Sequence, residues 1–238
     1  MIKTIVSEKV KPILKDALAE LVTVDFDFLV IGGLICQYYL KDHARYTNDI
    51  DIVYDEDRDV AEEKLRKVFN VIDFDYKEAR VTFFEATFTA LVEINGEIAS
   101  IEGTRMSFFK EIKPENFSYG GIPFKGVTPD FMIADKIVSI LNELERPYKH
   151  LLDIYSFSRI DQTLLNKSDI KKYIDLVNQE ENENRIKRGI REYSLPNQIP
   201  ENKVFTGKII TTTLQAKYNV TKEVVIEEVN KWLKTIMN

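Results

Sequence analysis

One short segment, residues 26–54, constrains the fold of this 238-residue chain more than any other. It opens with the apolar run FDFLVI, residues 26–31, which ends at Gly32 and Gly33 and predicts a buried strand running into a tight turn. Residues 34–40 (LICQYYL) suit a helix packed on that strand. The segment therefore predicts a strand, a glycine turn and a helix in immediate succession.

The two glycines have a chemical consequence. Without side chains, Gly32 and Gly33 let backbone N–H groups approach an anion closely, and the following helix adds the positive end of its dipole. Both are therefore candidate phosphate-binding residues. The alternative is an ordinary turn, which is what most Gly-Gly pairs form.

A pair of carboxylates follows in residues 49–54 (DIDIVY), which begin with strict alternation of acidic and apolar residues and predict a strand. Side chains two residues apart leave the same face of a strand, so Asp49 and Asp51 can converge on one or two divalent cations. Ligands that are all oxygen suit Mg²⁺ or Mn²⁺, which bridge phosphates in an in-line displacement. The alternative is the solvated polar face of an edge strand.

Hydrophobic periodicity divides the rest of the chain into two parts. The first part adds predicted helices at 7–22 and 57–69 and predicted strands at 80–87, 89–94 and 97–102, the last two joined by the hairpin signal Asn95-Gly96. The second adds predicted helices at 131–144, 150–159, 168–178, 206–218 and 221–237, with a charged helix end and linker at 179–200. We expect an α+β protein in which a domain of residues 1–127, with a mixed β-sheet flanked by helices, precedes a helical bundle of residues 128–238.

The ordered spacing before the carboxylates is more informative than either motif alone. It reads Arg45-x-Thr47-x-Asp49-x-Asp51. The segment resembles the nucleotidyltransferase superfamily related to polymerase β, and specifically its AbiEii/AbiGii toxin family, in which a strand–GG–helix precedes an R-x-T-x-D-[ILV]-D strand. The resemblance implies an NTP substrate with a bound metal. The glycine turn, Arg45 and Thr47 would then hold the triphosphate, and the aspartates would hold Mg²⁺ or Mn²⁺.

A second stretch carries the same resemblance. Lys136, then Arg146 and the segment KHLLDIY, residues 149–155, look like the family's lysine-bearing helix and its R…K-D-x-x-D-[ILV] segment. By that resemblance Lys136 would contact nucleotide phosphates, Arg146 would support the site, and Asp153 would be the functional acid of the later helix. The helical domain would thus complete the nucleotide site. His150 stands where the family has its first acidic residue, so no role is carried over to it.

Members of the superfamily place a third carboxylate on a neighbouring strand, and the candidates here are Glu85, Glu93 and Glu102. Glu93 is the choice from sequence, because it lies in the otherwise apolar run ALVEI, where an unpaired carboxylate would be costly unless it met a cation. Glu85, in the run FFEA, is nearly as good a choice.

Composition excludes several other classes of protein. One cysteine and two histidines can form neither a disulfide framework nor a zinc site of the thiolate or imidazole type. The formal net charge of −6 argues against a generally basic nucleic-acid-binding surface. No apolar run reaches the length of a membrane span, so we expect a cytoplasmic protein without a membrane partner.

The expected activity is Mg²⁺-dependent transfer of a nucleoside monophosphate from an NTP to an acceptor. By family resemblance the acceptor is a macromolecule such as tRNA, and the protein is the toxin of a toxin–antitoxin or phage-defence pair with a cognate antitoxin. Three alternatives stay open: a nucleotidyltransferase that modifies a small molecule such as an antibiotic, a non-catalytic nucleotide-binding regulator, and a pure interaction protein.

Overall fold

The computed structural model describes residues 2–77, 87–141, 147–187 and 219–237. The chain divides into two compact units, which are Met1–Thr128 and Pro129–Asn238. The candidates Glu85 and Arg146 and the predicted helix at 206–218 lie outside the described residues. Among the helices that are described, none has the length and apolar character needed to cross a bilayer.

The first unit is built on a mixed sheet, as predicted, with eight strands in the described residues. The strands are β1 (Lys3–Ile5), β2 (Phe28–Ile31), β3 (Asp49–Tyr54), β4 (Asn70–Lys77), β5 (Thr87–Ile94), β6 (Glu97–Arg105), β7 (Pro114–Tyr119) and β8 (Ile122–Val127), in the order β1-β7-β8-β2-β3-β6-β5-β4. Neighbours are parallel in β1/β7, β2/β8 and β3/β6 and antiparallel in the other pairs. The helices are α1 (Ile13–Leu21), α2 (Gly33–Leu40) and α3 (Arg58–Val68).

The period of two along β3 separates a buried face of the sheet from a polar one. Ile50 and Ile52 are fully buried, whereas Asp49 and Asp51 are half-buried on the opposite face. The parallel register pairs Asp51 with Glu102 of β6, which puts that glutamate on the polar face as well. The alternation predicted from the sequence is therefore confirmed.

Helix α1 packs on the sheet through one apolar side, with contacts to β3, β5, β6 and β8. Its buried residues are Ile13, Leu14, Ala17, Leu18 and Leu21. The prediction that this helix begins at residue 7 is wrong, because residues 7–11 are not helical and Val10 forms a parallel β-bridge with Thr47 in the loop before β3. Thr47 N–H donates to the Lys9 carbonyl at 2.8 Å, and Lys11 N–H donates to the Thr47 carbonyl at 2.9 Å.

The second unit is helical where it is described. Its helices are α4 (Pro129–Leu141), α5 (Pro147–Ser158), α6 (Lys167–Lys187) and α7 (Lys222–Met237). Helix α4 packs on α5 and α6, and α7 contacts the same two helices. Helix α6 continues to Lys187, into the segment 179–200 that the sequence predicted as a charged helix end and linker. Helix-forming residues dominate there, and Gln179 donates to Glu183 one turn later at 2.9 Å.

Candidate active site

Three carboxylates meet on the polar face of the sheet, at Asp49, Asp51 and Glu102. One oxygen atom from each lies within 4.8 Å of the other two. The two aspartates share a face of β3, and Glu102 stands beside Asp51 because β3 and β6 run parallel in this register. Oxygen ligands from side chains that are half-buried or exposed suit a hard divalent cation such as Mg²⁺ or Mn²⁺. The donor set therefore fits the metal implied by the sequence.

Glu93 is not part of this cluster, which corrects its choice as the third carboxylate. The register pairs Thr89 with Glu102 and Glu93 with Ile98. Glu93 thus lies four residues along β5 from the level of the cluster, about 13 Å at the usual rise of a strand. The choice of Glu93 also assumed that its side chain is buried, which is wrong. The Glu93 side chain is exposed, and its carboxylate accepts a hydrogen bond from Asn70 Nδ2 at 2.9 Å.

The glycine turn is packed directly against the carboxylate pair. Gly32 has a φ of 74°, a backbone conformation that residues other than glycine rarely adopt. A Cβ atom at this position would also clash with the side chain of Asp51. The N–H of Gly33 donates to Asp51 Oδ2 at 3.4 Å. The first turn of α2 therefore presents its backbone amides beside the carboxylates, which is an arrangement suited to phosphate.

The loop before β3 carries the two other predicted nucleotide-binding residues of this unit. Arg45 is half-buried, whereas Thr47 is only 3% exposed. Gln37 of α2 donates from Nε2 to the Arg45 carbonyl at 2.7 Å and to Thr47 Oγ1 at 3.0 Å. Thr47 lies against Gly33, since a Cβ atom on that glycine would stand 2.6 Å from Thr47 Oγ1. Its side chain thus supports the glycine turn from the protein interior.

Sequence reasoning missed Gln37. The available signal was a polar amide in the otherwise apolar or aromatic run LICQYYL, in a helix predicted to pack on the sheet. A buried amide needs hydrogen-bond partners, so such a residue points to a polar network inside the fold.

In the second unit, the structure brings Lys136 and Asp153 together. Lys136 Nζ lies 3.1 Å from Asp153 Oδ2, and the two side chains are 6% and 3% exposed. Lys136 lies on α4 and Asp153 on α5, so the pair joins two packed helices. Two residues singled out for separate roles therefore form one buried ion pair.

The comparisons with known proteins decide the family. The model of the nucleotidyl transferase AbiEii toxin family, type IV toxin–antitoxin system, matches residues 16–223. This chain belongs to the AbiEii family. It is accordingly a nucleotidyltransferase toxin of the type IV toxin–antitoxin class, and the expected resemblance is confirmed. Comparison with curated proteins gives no match.

The chain is also similar to three solved structures. A Helicobacter pylori protein assigned as a nucleotidyltransferase aligns at 12% identity with a TM-score of 0.50, over 98% of this chain and 96% of its own. A second H. pylori protein aligns at 11% identity and a TM-score of 0.48, over 98% and 93%. An antigenic nucleotidyltransferase-like protein from Paracoccidioides brasiliensis aligns at 16% identity and a TM-score of 0.45, over 76% and 93%. The first of these alignments supports a shared fold.

Proposed function

We propose that this AbiEii protein transfers a nucleoside monophosphate from an NTP to a macromolecular acceptor, with RNA such as tRNA as the acceptor class. The observation that carries the proposal is the three-carboxylate cluster at Asp49, Asp51 and Glu102, set against the glycine turn. A cluster of this kind could arise by chance on a polar sheet face. Its place beside a helix N-terminus, in a chain of a nucleotidyltransferase family, favours the catalytic interpretation.

The three carboxylates would hold Mg²⁺ or Mn²⁺ through oxygen atoms. When bound, such a cation stabilises charge on the attacking and leaving oxygens of an in-line displacement. An acceptor hydroxyl attacks the α-phosphorus of the NTP, forms a new P–O bond and loses its proton to solvent. The bond between that phosphorus and the bridging oxygen breaks, and pyrophosphate leaves.

The residues around the cluster would position the substrate. Backbone amides of the first turn of α2 are the donors that the triphosphate would meet, and the Gly33 N–H lies 3.4 Å from Asp51 Oδ2. Arg45 stays a predicted phosphate contact. Glu102, the third acid on the neighbouring strand, takes the place that the sequence had given to Glu93.

The membership in a type IV toxin–antitoxin family also implies an antitoxin partner. We expect its gene beside that of this chain. Co-expression of the antitoxin should then relieve growth arrest caused by the wild-type protein.

The test is to incubate the protein with Mg²⁺, total cellular RNA and each NTP labelled at the α-phosphate, and to identify what becomes labelled. We expect label on RNA with the wild-type protein and none with Asp49→Asn or Asp51→Asn. Label on a small acceptor would replace the macromolecular proposal by the small-molecule one. Binding of NTP without transfer would indicate a regulator. Transfer that survives in both aspartate variants would refute the site.

A further inference from the structure

Gln37 lies in the middle of α2 and is 3% exposed, although its side chain carries two N–H donors and a carbonyl acceptor. Burial of an amide is unfavourable unless these groups are hydrogen-bonded. The contacts of this one side chain therefore show which parts of the structure it holds together.

All three of its polar functions are used. Nε2 donates to the Arg45 carbonyl at 2.7 Å and to Thr47 Oγ1 at 3.0 Å, and Oε1 accepts from Ser7 Oγ at 2.7 Å. A backbone carbonyl can only accept, so the nitrogen of the amide must face Arg45, which fixes the orientation of the group. Gln37 thus ties α2 to the loop before β3 and to the N-terminal segment.

Thr47 connects Gln37 to the candidate active site. Its side chain lies against Gly33, and it precedes Asp49 by two residues. Its backbone is held on the other side by the hydrogen bonds to Lys9 and Lys11. The position of the Thr47 side chain therefore sets how closely the glycine turn can approach the start of β3.

We propose that Gln37 is a positioning residue of the nucleotidyltransferase site: acting through Thr47, it sets the spacing between the glycine turn and Asp49 and Asp51. The inference rests on the function proposed for that site. It gives Thr47, predicted from sequence to bind nucleotide, a supporting role behind the turn.

Loss of the Gln37 amide would leave the Arg45 carbonyl and Thr47 Oγ1 without this donor inside the protein. The loop would shift toward other donors or water, and Thr47 would move away from Gly33. Misplacement of reacting groups by about 1 Å can reduce turnover roughly 100-fold. The expected defect is therefore in the rate of the chemical step.

The first experiment compares Gln37→Met with Tyr39→Phe. Methionine keeps the length of glutamine and removes its hydrogen bonds. Tyr39 is a buried residue of the same helix. Its hydroxyl accepts a hydrogen bond from Lys3 and donates one to Glu115, away from the loop before β3. Tyr39→Phe therefore also removes partly buried hydrogen bonds from α2, and it is a matched control for lost stability. We expect kcat to fall about 100-fold in Gln37→Met, with a smaller change in KM, and to stay near wild type in Tyr39→Phe. Equal loss in both variants would overturn the proposal.

A double-mutant cycle with Thr47→Val tests the route. Valine keeps the shape of threonine and removes Oγ1. If Gln37 acts through Thr47, then Gln37→Met should reduce kcat little further in a chain that already carries Thr47→Val. Fully multiplicative losses would show that the two residues act independently, which contradicts the proposal.

Hydrogen exchange provides a readout that does not depend on transfer activity. We expect amides of residues 33–36 and 45–48 to exchange faster in Gln37→Met, and at the wild-type rate in Tyr39→Phe. If the wild-type protein transfers no nucleotide, the proposed function fails, but this comparison still decides the positioning role. Unchanged exchange at the glycine turn would overturn it. Should Gln37→Met not fold, Ser7→Ala should give the same pattern at smaller size; it removes the hydrogen bond to Gln37 Oε1 and the one that Ser7 Oγ accepts from the Lys9 N–H at 3.0 Å.

Discussion

The Thr47 hydroxyl lies so close to Gly33 that a Cβ atom at position 33 would stand 2.6 Å from Thr47 Oγ1 and 2.9 Å from its Cγ2. The φ angle of Gly33 is not in the positive region, in contrast to that of Gly32 at 74°. The two adjacent glycines are therefore required for different reasons. Gly33 is required by the side chain of Thr47, whereas Gly32 is required both by its backbone conformation and by the side chain of Asp51, whose Oδ2 would clash with a Cβ atom.

We predict that Gly33→Ala lowers the free energy of unfolding by about 1–3 kcal/mol, because the added methyl group overpacks the contact with Thr47. Thr47→Ala in the same chain should restore part of that loss, since it leaves only the Thr47 Cβ, at 3.2 Å. Urea unfolding of the two single variants and the double variant measures the effect.

Gly32→Ala is the control for this rescue. A non-glycine residue in the left-handed region costs about 1–2 kcal/mol through its own backbone, which no change at Thr47 can relieve. Rescue of both glycine variants by Thr47→Ala, or of neither, would show that the packing explanation for Gly33 is wrong.

The second prediction separates Glu102 from Glu93, two glutamates on the same sheet face. Glu102→Gln should weaken Mg²⁺ or Mn²⁺ binding and transfer, because its carboxylate lies with Asp49 and Asp51. Glu93→Gln should leave metal binding and transfer unchanged, because the Glu93 carboxylate accepts a hydrogen bond from Asn70 at the far end of β5, away from the cluster. Calorimetric titration with Mn²⁺ and the labelling assay measure the two quantities. The reverse order of effects would restore Glu93 as the third acid.

Several strands with a local pattern were predicted from the sequence, although β1 and β4 were missed. The alternation of β3 and the Asn95-Gly96 turn between β5 and β6 are readable within a few residues, and Asn95 and Gly96 do have positive φ. Strands β7 and β8 were missed. Pro114, Pro123 and Gly126 argue against strands in the sequence, and their extended form depends on pairing with each other and with β1 and β2.

The residues of the candidate site also differ in whether a local sequence pattern identifies them. Asp49 and Asp51 were identifiable because their spacing is local, whereas the third acid depends on the parallel register of β3 and β6, which no local pattern reveals. Glu93 and Glu102 both follow the period of two on the same face. Only the register distinguishes them, since it sets their positions along the strands.

The third prediction concerns the ion pair of Lys136 and Asp153. Asp153→Asn removes the carboxylate that lies 3.1 Å from the buried ammonium, and should lower the free energy of unfolding by about 3–5 kcal/mol. The double variant Lys136→Met/Asp153→Leu replaces both charges by apolar groups and should recover most of that loss. Thermal and urea unfolding provide the comparison.

The same double variant tests the predicted phosphate contact of Lys136. If Lys136 binds the triphosphate, NTP affinity should fall even though the fold is restored. Affinity equal to that of the wild type, measured by calorimetry, would assign Lys136 a structural role only.

The last prediction concerns pH. Desolvation raises the pKa of the Asp135 carboxyl, and the charge of Lys136 opposes that rise only in part. The folded protein therefore binds this proton more tightly than the unfolded chain does. The contribution of Asp135 to the free energy of unfolding thus decreases as pH rises from the unfolded pKa, about 3.9, through the raised folded value. Asp135→Asn should raise Tm at neutral pH, and the gain should shrink as pH falls toward about 4.

Asp161→Asn is a control of opposite sign. Hydrogen bonds from the backbone N–H and hydroxyl of Thr163 lower the pKa of Asp161, so its charged form contributes stability above the unfolded pKa and loses it as pH falls through the folded value. Asp161→Asn should therefore lower Tm at neutral pH, with a deficit that disappears in acid. Thermal unfolding of both variants between about pH 4 and pH 8 measures the two trends. A gain in Asp135→Asn that is independent of pH would mean that packing, and not desolvation of the charge, limits stability at that position.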